Sequence, residues 1–239
     1  MPARRWLVLL AAALMALLTA RLGWWQLDRA AQKVALQQSL DERRALPPLT
    51  QPALAMQLAD VPALQHRRAT LQGHWLAEHT VYLDNRPMKA RTGFYVVTPL
   101  QLDDGTAVLV QRGWLPRDLM DRTRLAPHTT PESTVTVQGT INPALARLYE
   151  FDAAASGPIR QNLQLDVFGA ESKLSLRPWV LVQEEGTAPL SDGLLRQWPA
   201  PSTGVDKHHG YAFQWFSLCA LTIFLYVWFQ FIRPRQKRR

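Results

Sequence analysis

Apolar positions gather at the two ends of the chain and alternate with polar ones in between. From Tyr211 to Ile232 (YAFQWFSLCALTIFLYVWFQFI) no charged residue occurs. As a helix rising about 1.5 Å per residue this stretch covers about 33 Å, close to the hydrocarbon thickness of a bilayer. Lipid gives a bare backbone nothing to bond, so the stretch predicts a spanning helix over 211–232. At the other end Trp6 to Ala20 is apolar, Arg21 intervenes, and Leu22 to Leu27 resumes. Arg4 and Arg5 before a short apolar run also fit a secretory signal. Cleavage after Ala20, however, would put Leu18 where a small residue is wanted. Trp24 and Trp25 suit a membrane interface, and Arg21 can extend its guanidinium toward headgroups. The expectation is a retained anchor over 6–27.

Between these ends the texture changes twice. Asp28 to Leu46 keeps strong helix formers, so the first helix is expected to run on out of the membrane until Pro47 and Pro48 end it. From Ala69 onward the pattern is that of strands: Thr70 to Leu76, Thr80 to Leu83, Gly93 to Leu102, Thr106 to Leu115, Ser133 to Ile141 and Arg177 to Gln183, rich in Val, Leu, Thr, Tyr and Trp. Asp103-Asp104-Gly105 is a hairpin connector. Asn142 to Leu176 is ambiguous, with room for a short helix. Glu185 to Lys207, with Gly186, Pro189, Gly193, Pro199, Pro201 and Gly204, reads as a return linker. The fold class is a membrane protein in which two transmembrane helices flank a mainly antiparallel β extracytoplasmic domain with short helices, a sandwich or a partly open barrel, over 28–210.

Charge adds an orientation. The formal net charge of +8 is nearly all supplied by Arg4 and Arg5 in segment 1–5 and by Arg233, Arg235, Lys237, Arg238 and Arg239 in segment 233–239. Cations flanking spans mark the side retained inside, so both termini are expected in the cytoplasm, or in the matrix of a mitochondrion, with the domain outside. The rival reading of RPRQKRR as a binder of nucleic acid or anionic lipid is the less favoured one. The expected surroundings are membrane lipid and no nucleic acid. Cys219, within the second apolar segment, is the one cysteine. The domain therefore has no disulfide and cannot be a thioredoxin-like oxidoreductase, a cysteine-pair copper chaperone or a C-x-x-C-H haem protein.

There is no G-x-S-x-G, glycine-rich phosphate loop or H-E-x-x-H, so no catalytic residue is assigned and an enzyme is not expected. His66, His74, His79 and His128 lack metal-ligand spacing and read as surface or turn residues. His208 and His209 stand directly before Tyr211, at the outer mouth of the second apolar segment. If the helix begins at or before them, His208, Tyr211, Ala212, Trp215 and Cys219 share a stripe, and His209 faces the Phe213 and Phe216 side, toward lipid. A histidine there could offer an imidazole to a porphyrin iron. On physics alone the favoured reading is a polar helix end at the interface.

Several segments resemble one family. LGWWQLDRAAQK (Leu22 to Lys33) is similar to a Leu-Gly-x-Trp-Gln-Leu-x-Arg-x-x-x-Lys signature through Gly23, Trp25, Gln26, Leu27, Arg29 and Lys33. YLDNRP from Tyr82, GFYVVTPL from Gly93, DGTAVLVQRGWLPRD from Asp104 and HHGYAFQWF from His208 follow in order. Together they resemble the Surfeit locus protein one family of cytochrome c oxidase assembly factors. Where that family usually has a turn glycine, Ala90 stands here, which bears on the turn geometry. The resemblance implies an assembly factor for an aa3-type oxidase that binds haem a transiently and supports its insertion into subunit I. It implies a partnership with subunit I and with haem a synthase, and a multi-pass location in a bacterial inner membrane with the main domain periplasmic. The iron-ligand position falls on His208, with Tyr211 and Trp215 beside it; Arg21, at similar depth, could pair with a propionate, though extension toward the headgroups alone is the favoured reading for it. The alternative is a scaffold that stabilises an oxidase intermediate without touching haem.

Overall fold

The computed structural model describes residues 2–50, 54, 58–121, 123–149, 157–186, 191–198 and 204–233. The side chain of Arg4 and most of the basic tail, 234–239, lie outside them. Two units are formed: a helical one from 1–39 with 201–239, and a sheet unit from 40–200.

In the helical unit, α1 (Pro2–Ala45) and α4 (Val205–Val227), the latter continued by a π-helical turn Trp228–Ile232, are both long and apolar enough to cross a membrane. α4 begins at Val205, ahead of the apolar run, so His208 and His209 lie in its first turns. Among the less exposed positions of α1, Ala12, Ala16, Thr19, Gly23, Gln26, Ala30 and Lys33 form one stripe; among those of α4, which also include Phe216, Val205, His208, Ala212, Trp215, Cys219, Thr222 and Tyr226 do so. On each helix the steps alternate between three and four residues, the spacing of an antiparallel seam with left-handed packing. Small α1 residues let the backbones approach, as in membrane helix pairs. Thr19 keeps its hydroxyl satisfied by donating to the Met15 carbonyl at 2.8 Å.

The sheet unit holds eight strands: β1 (Leu49–Thr50), β2 (Arg68–Trp75), β3 (Val81–Met88), β4 (Arg91–Gln101), β5 (Ala107–Pro116), β6 (Val135–Asn142), β7 (Ile159–Arg160) and β8 (Leu176–Gln183). Their order is β1-β2-β6-β8-β5-β4-β3-β7, and β2 also pairs with β4. The strands β2, β6, β8, β5 and β4 thus close into a small barrel, which removes most free edges. Most pairings are antiparallel; β1–β2, β3–β7 and β5–β8 run parallel, and between β5 and β8 the chain passes through β6, β7 and α3 (Leu165–Ser172). Leu71, Leu100, Val108, Val110, Ile141, Trp179 and Leu181 fill one core. Leu83, Val97, Leu109, Phe168 and Val180 form another, against which α3 packs. With cores on both sides, β5 is buried at every position from Ala107 to Leu115.

Two sequence expectations are corrected here. The strand expected at Thr80 to Leu83 continues through a bulge at Asn85 (φ 61°) to Met88. Of the expected linker Glu185 to Lys207, residues 191–198 belong to the domain and 205–207 begin α4: Leu194 and Arg196 are buried, Leu195 bridges to Trp114, and the Trp198 indole donates to the Gln183 carbonyl at 2.7 Å.

Candidate functional site

The seam between α1 and α4 carries its most polar contact near the mouth. Asp206 and the backbone bond from His208 to the Gly204 carbonyl start α4, and the helical period then turns His208 toward α1. There its Nδ1 lies 2.7 Å from Oε1 of Gln26. Arg29 and Lys33 lie close enough to His208 to bear on its charge. Lys33 sits on the same stripe as Gln26, two turns further along, and Arg29 is nearby on that side of the helix. Deeper along the seam, Gly23 faces the ring of Phe216 and Cys219 Sγ lies 3.3 Å from the Ala16 carbonyl.

The site residues expected from sequence are therefore spread over different faces. His208 and Trp215 are half-buried on the seam, and Ala212 between them is buried. Tyr211 is 52% exposed and flanks the seam. Arg21 is exposed and, at about 100° per residue, lies on the side of α1 away from the Thr19, Gly23 and Gln26 stripe; the structure does not bring it to His208. His209 is exposed, as is Phe213 at 74%, whereas Phe216, expected to face lipid with them, is turned inward because Gly23 leaves room for its ring. Gln26, Arg29 and Lys33 were not assigned to the site from sequence. The signal was available, since all three are positions of the Leu22–Lys33 signature, and Gln26 and Lys33, seven residues apart, lie on one helix face.

The central motifs of the sheet unit make a separate network. Arg112, 1% exposed on β5, donates to Thr130 Oγ1 at 2.6 Å and to the Thr129 carbonyl at 3.0 Å, and lies over the Trp75 ring at 4.6 Å. Asp192 ion-pairs with Arg112 at 3.6 Å and also with buried Arg196. Burial pulls the Arg112 guanidinium down to about 10, against the opposing pull of Asp192, and it stays charged at neutral pH. The Trp114 indole donates to the Arg86 carbonyl at 2.7 Å, and the Arg86 guanidinium donates to the Gln161 carbonyl at 2.8 Å. Arg117 pairs with Asp84. Burial raises the Tyr82 and Tyr95 hydroxyls above their usual range. Most of these groups pair with one another, as in a fold-holding network, although the Nε atoms of Arg86, Arg112, Arg117 and Arg196 are buried without a partner. Among the described residues no cluster of His, Cys, Asp and Glu suits a metal ion.

Comparison with known proteins supplies the remaining observation. The sequence model of the SURF1 family matches residues 13–220. The SURF1-like protein of Rickettsia bellii is 28% identical over 213 residues, covering 86% of this chain and 83% of that protein. Surfeit locus protein 1 of Rattus norvegicus is 26% identical, covering 89% and 72%. The SURF1-like protein of Dictyostelium discoideum is 32% identical over a shorter 99 residues.

Proposed function

Because the chain belongs to the SURF1 family, we propose that it is an assembly factor for an aa3-type cytochrome c oxidase, one that binds haem a and supports its insertion into subunit I. The observation that carries this reading is the placement of His208 in the first turns of an apolar helix, half-buried against a second apolar helix, with two cations close by. Haem a supplies an iron that accepts a neutral imidazole and carboxylates that accept cations, on a body too apolar to travel through water. The donor set fits such a group: His208 for the iron, Trp215 and Tyr211 as flanking aromatic surface, and Arg29 and Lys33 for the carboxylates. Arg21 fits less well, because of the face it occupies.

On this reading α1 and α4 span a bacterial inner membrane, the sheet unit is periplasmic and the termini are cytoplasmic, as the clustering of Lys and Arg supports. Non-enzymatic transfer is the proposed role, with subunit I as recipient and haem a synthase as the candidate source. The second reading, a scaffold without haem, draws on a cavity of about 620 Å³ in the sheet unit, bordered by Leu145, Leu163, Leu165, Leu174 and Leu176, whose apolar walls would suit a partner side chain. The test is complementation: cells lacking this chain should assemble an oxidase poor in haem a, restored by the wild-type chain and not by His208→Ala. Normal haem a content without the chain contradicts the proposed function, and full restoration by His208→Ala favours the scaffold.

A further inference from the structure

Between Gly23 and Ala30 the α1 seam carries Gln26, a long polar side chain among small ones. Its Oε1 stands 2.7 Å from His208 Nδ1, on the other helix. With the amide oxygen facing the ring, as here, the ring nitrogen carries the hydrogen, because an amide oxygen only accepts. A neutral imidazole has one N–H, and the opposite nitrogen, Nε2, therefore keeps its lone pair. The flipped amide would donate and leave the hydrogen on Nε2, which the tautomer measurement below distinguishes. We propose that Gln26 is a positioning residue that holds His208 as the Nδ1–H tautomer with a fixed ring plane, so that Nε2 is the atom offered for coordination. This rests on the reading of His208 as an iron ligand given above.

The neighbouring polar side chains cannot do the same. Arg29 and Lys33 only donate, so either one bonded to Nδ1 would leave the hydrogen on Nε2 and block it. An acceptor is required at this point of the seam, and Gln26 is the one in contact. The bond also makes the ring a better donor: an imidazole whose second nitrogen donates to an oxygen is more basic at the first, and loss of such a partner typically lowers metal affinity about 10–100-fold. Because Gln26 and His208 come from different helices, ligand orientation is tied to helix pairing.

The experiment has one arm without haem and one with it, both on the full chain in lipid nanodiscs. With histidine rings labelled with nitrogen-15 and His208→Ala identifying the resonances, the wild type at a pH where the ring is neutral should show Nδ1 protonated and Nε2 bare. Gln26→Leu, which keeps the bulk, should give a mixture of tautomers. In chain loaded with haem a, Gln26→Leu should weaken retention about 10–100-fold and move the iron–histidine stretch to lower frequency, while Gln26→Glu should restore retention and move the stretch upward. An Nε2–H tautomer in the wild type, or a tautomer and stretch unmoved by Gln26→Leu, overturns the role of Gln26. Undiminished haem in His208→Ala overturns instead the ligand reading on which it rests.

Discussion

Phe216 of α4 fills the space left by Gly23 of α1: a β-carbon added at Gly23 would stand 2.9 Å from Cε1 and Cζ of the ring. The contact can be tested through the same seam, where Cys219 Sγ lies 3.3 Å from the Ala16 carbonyl. Ala16→Cys should cross-link to Cys219 under mild oxidation. Adding Gly23→Leu, too large for the phenylalanine to yield to, should cut the yield to a minor fraction. An equal yield in the double variant would contradict the helix pairing.

Ala90 offers a stabilising change. Met88 pairs with Arg91, leaving Lys89 and Ala90 as a two-residue hairpin loop with φ of 47° and 61°. Both angles belong to a type I′ turn, in which glycine or asparagine is preferred. The turn is thus made with a β-carbon in the left-handed region, at a cost of about 1–2 kcal/mol. Ala90→Gly should raise stability by about 1 kcal/mol, part of that gain being offset by the freer unfolded chain. Chemical denaturation of the full chain in detergent measures it, and a loss of stability would contradict this account of the turn.

Asp192 is the counter-charge for Arg112 and Arg196, both buried. Asp192→Asn leaves two guanidiniums without it in a water-poor site, a loss expected to cost about 3–5 kcal/mol. The pKa of Arg112, about 10 with Asp192 present, should fall further without it. A large drop in the melting temperature of the sheet unit is expected; a change within a degree or two would show that the network matters little.

Orientation is checked by fusions. A reporter placed after Arg239 should be active only if it works in the cytoplasm, and one inserted near Thr187 only if it works outside. The reverse pattern at either position contradicts the proposed topology.

Much of the architecture was legible because burial wrote it into the sequence. The two apolar runs and the cores of β2, β4, β5, β6 and β8 follow from hydrophobic patterning alone. The second half of β3 did not, since Asp84, Asn85, Arg86 and Pro87 read as a loop; in the fold they carry an ion pair with Arg117, a bulge and the bonds to Trp114 and Gln161. Residues 191–198 were hidden for the same reason, because Arg196 is buried through its pairing with Asp192, which also pairs with Arg112. At the proposed site, His208 stood out in the sequence as a polar residue before an apolar run, and it was the family resemblance that singled it out as a candidate ligand. Its contact with Gln26 was not legible, since the two are 182 residues apart in the chain and only helix pairing brings them together.

The most direct measurement is the haem content and absorption spectrum of the full chain purified from cells that make haem a. Wild type and His209→Ala should carry haem a with the same spectrum, because His209 is exposed and has no place on the seam, while His208→Ala should lose most of it and remain folded and inserted. Haem a unchanged in amount and spectrum in His208→Ala, or lost in His209→Ala alone, would contradict the assignment of His208.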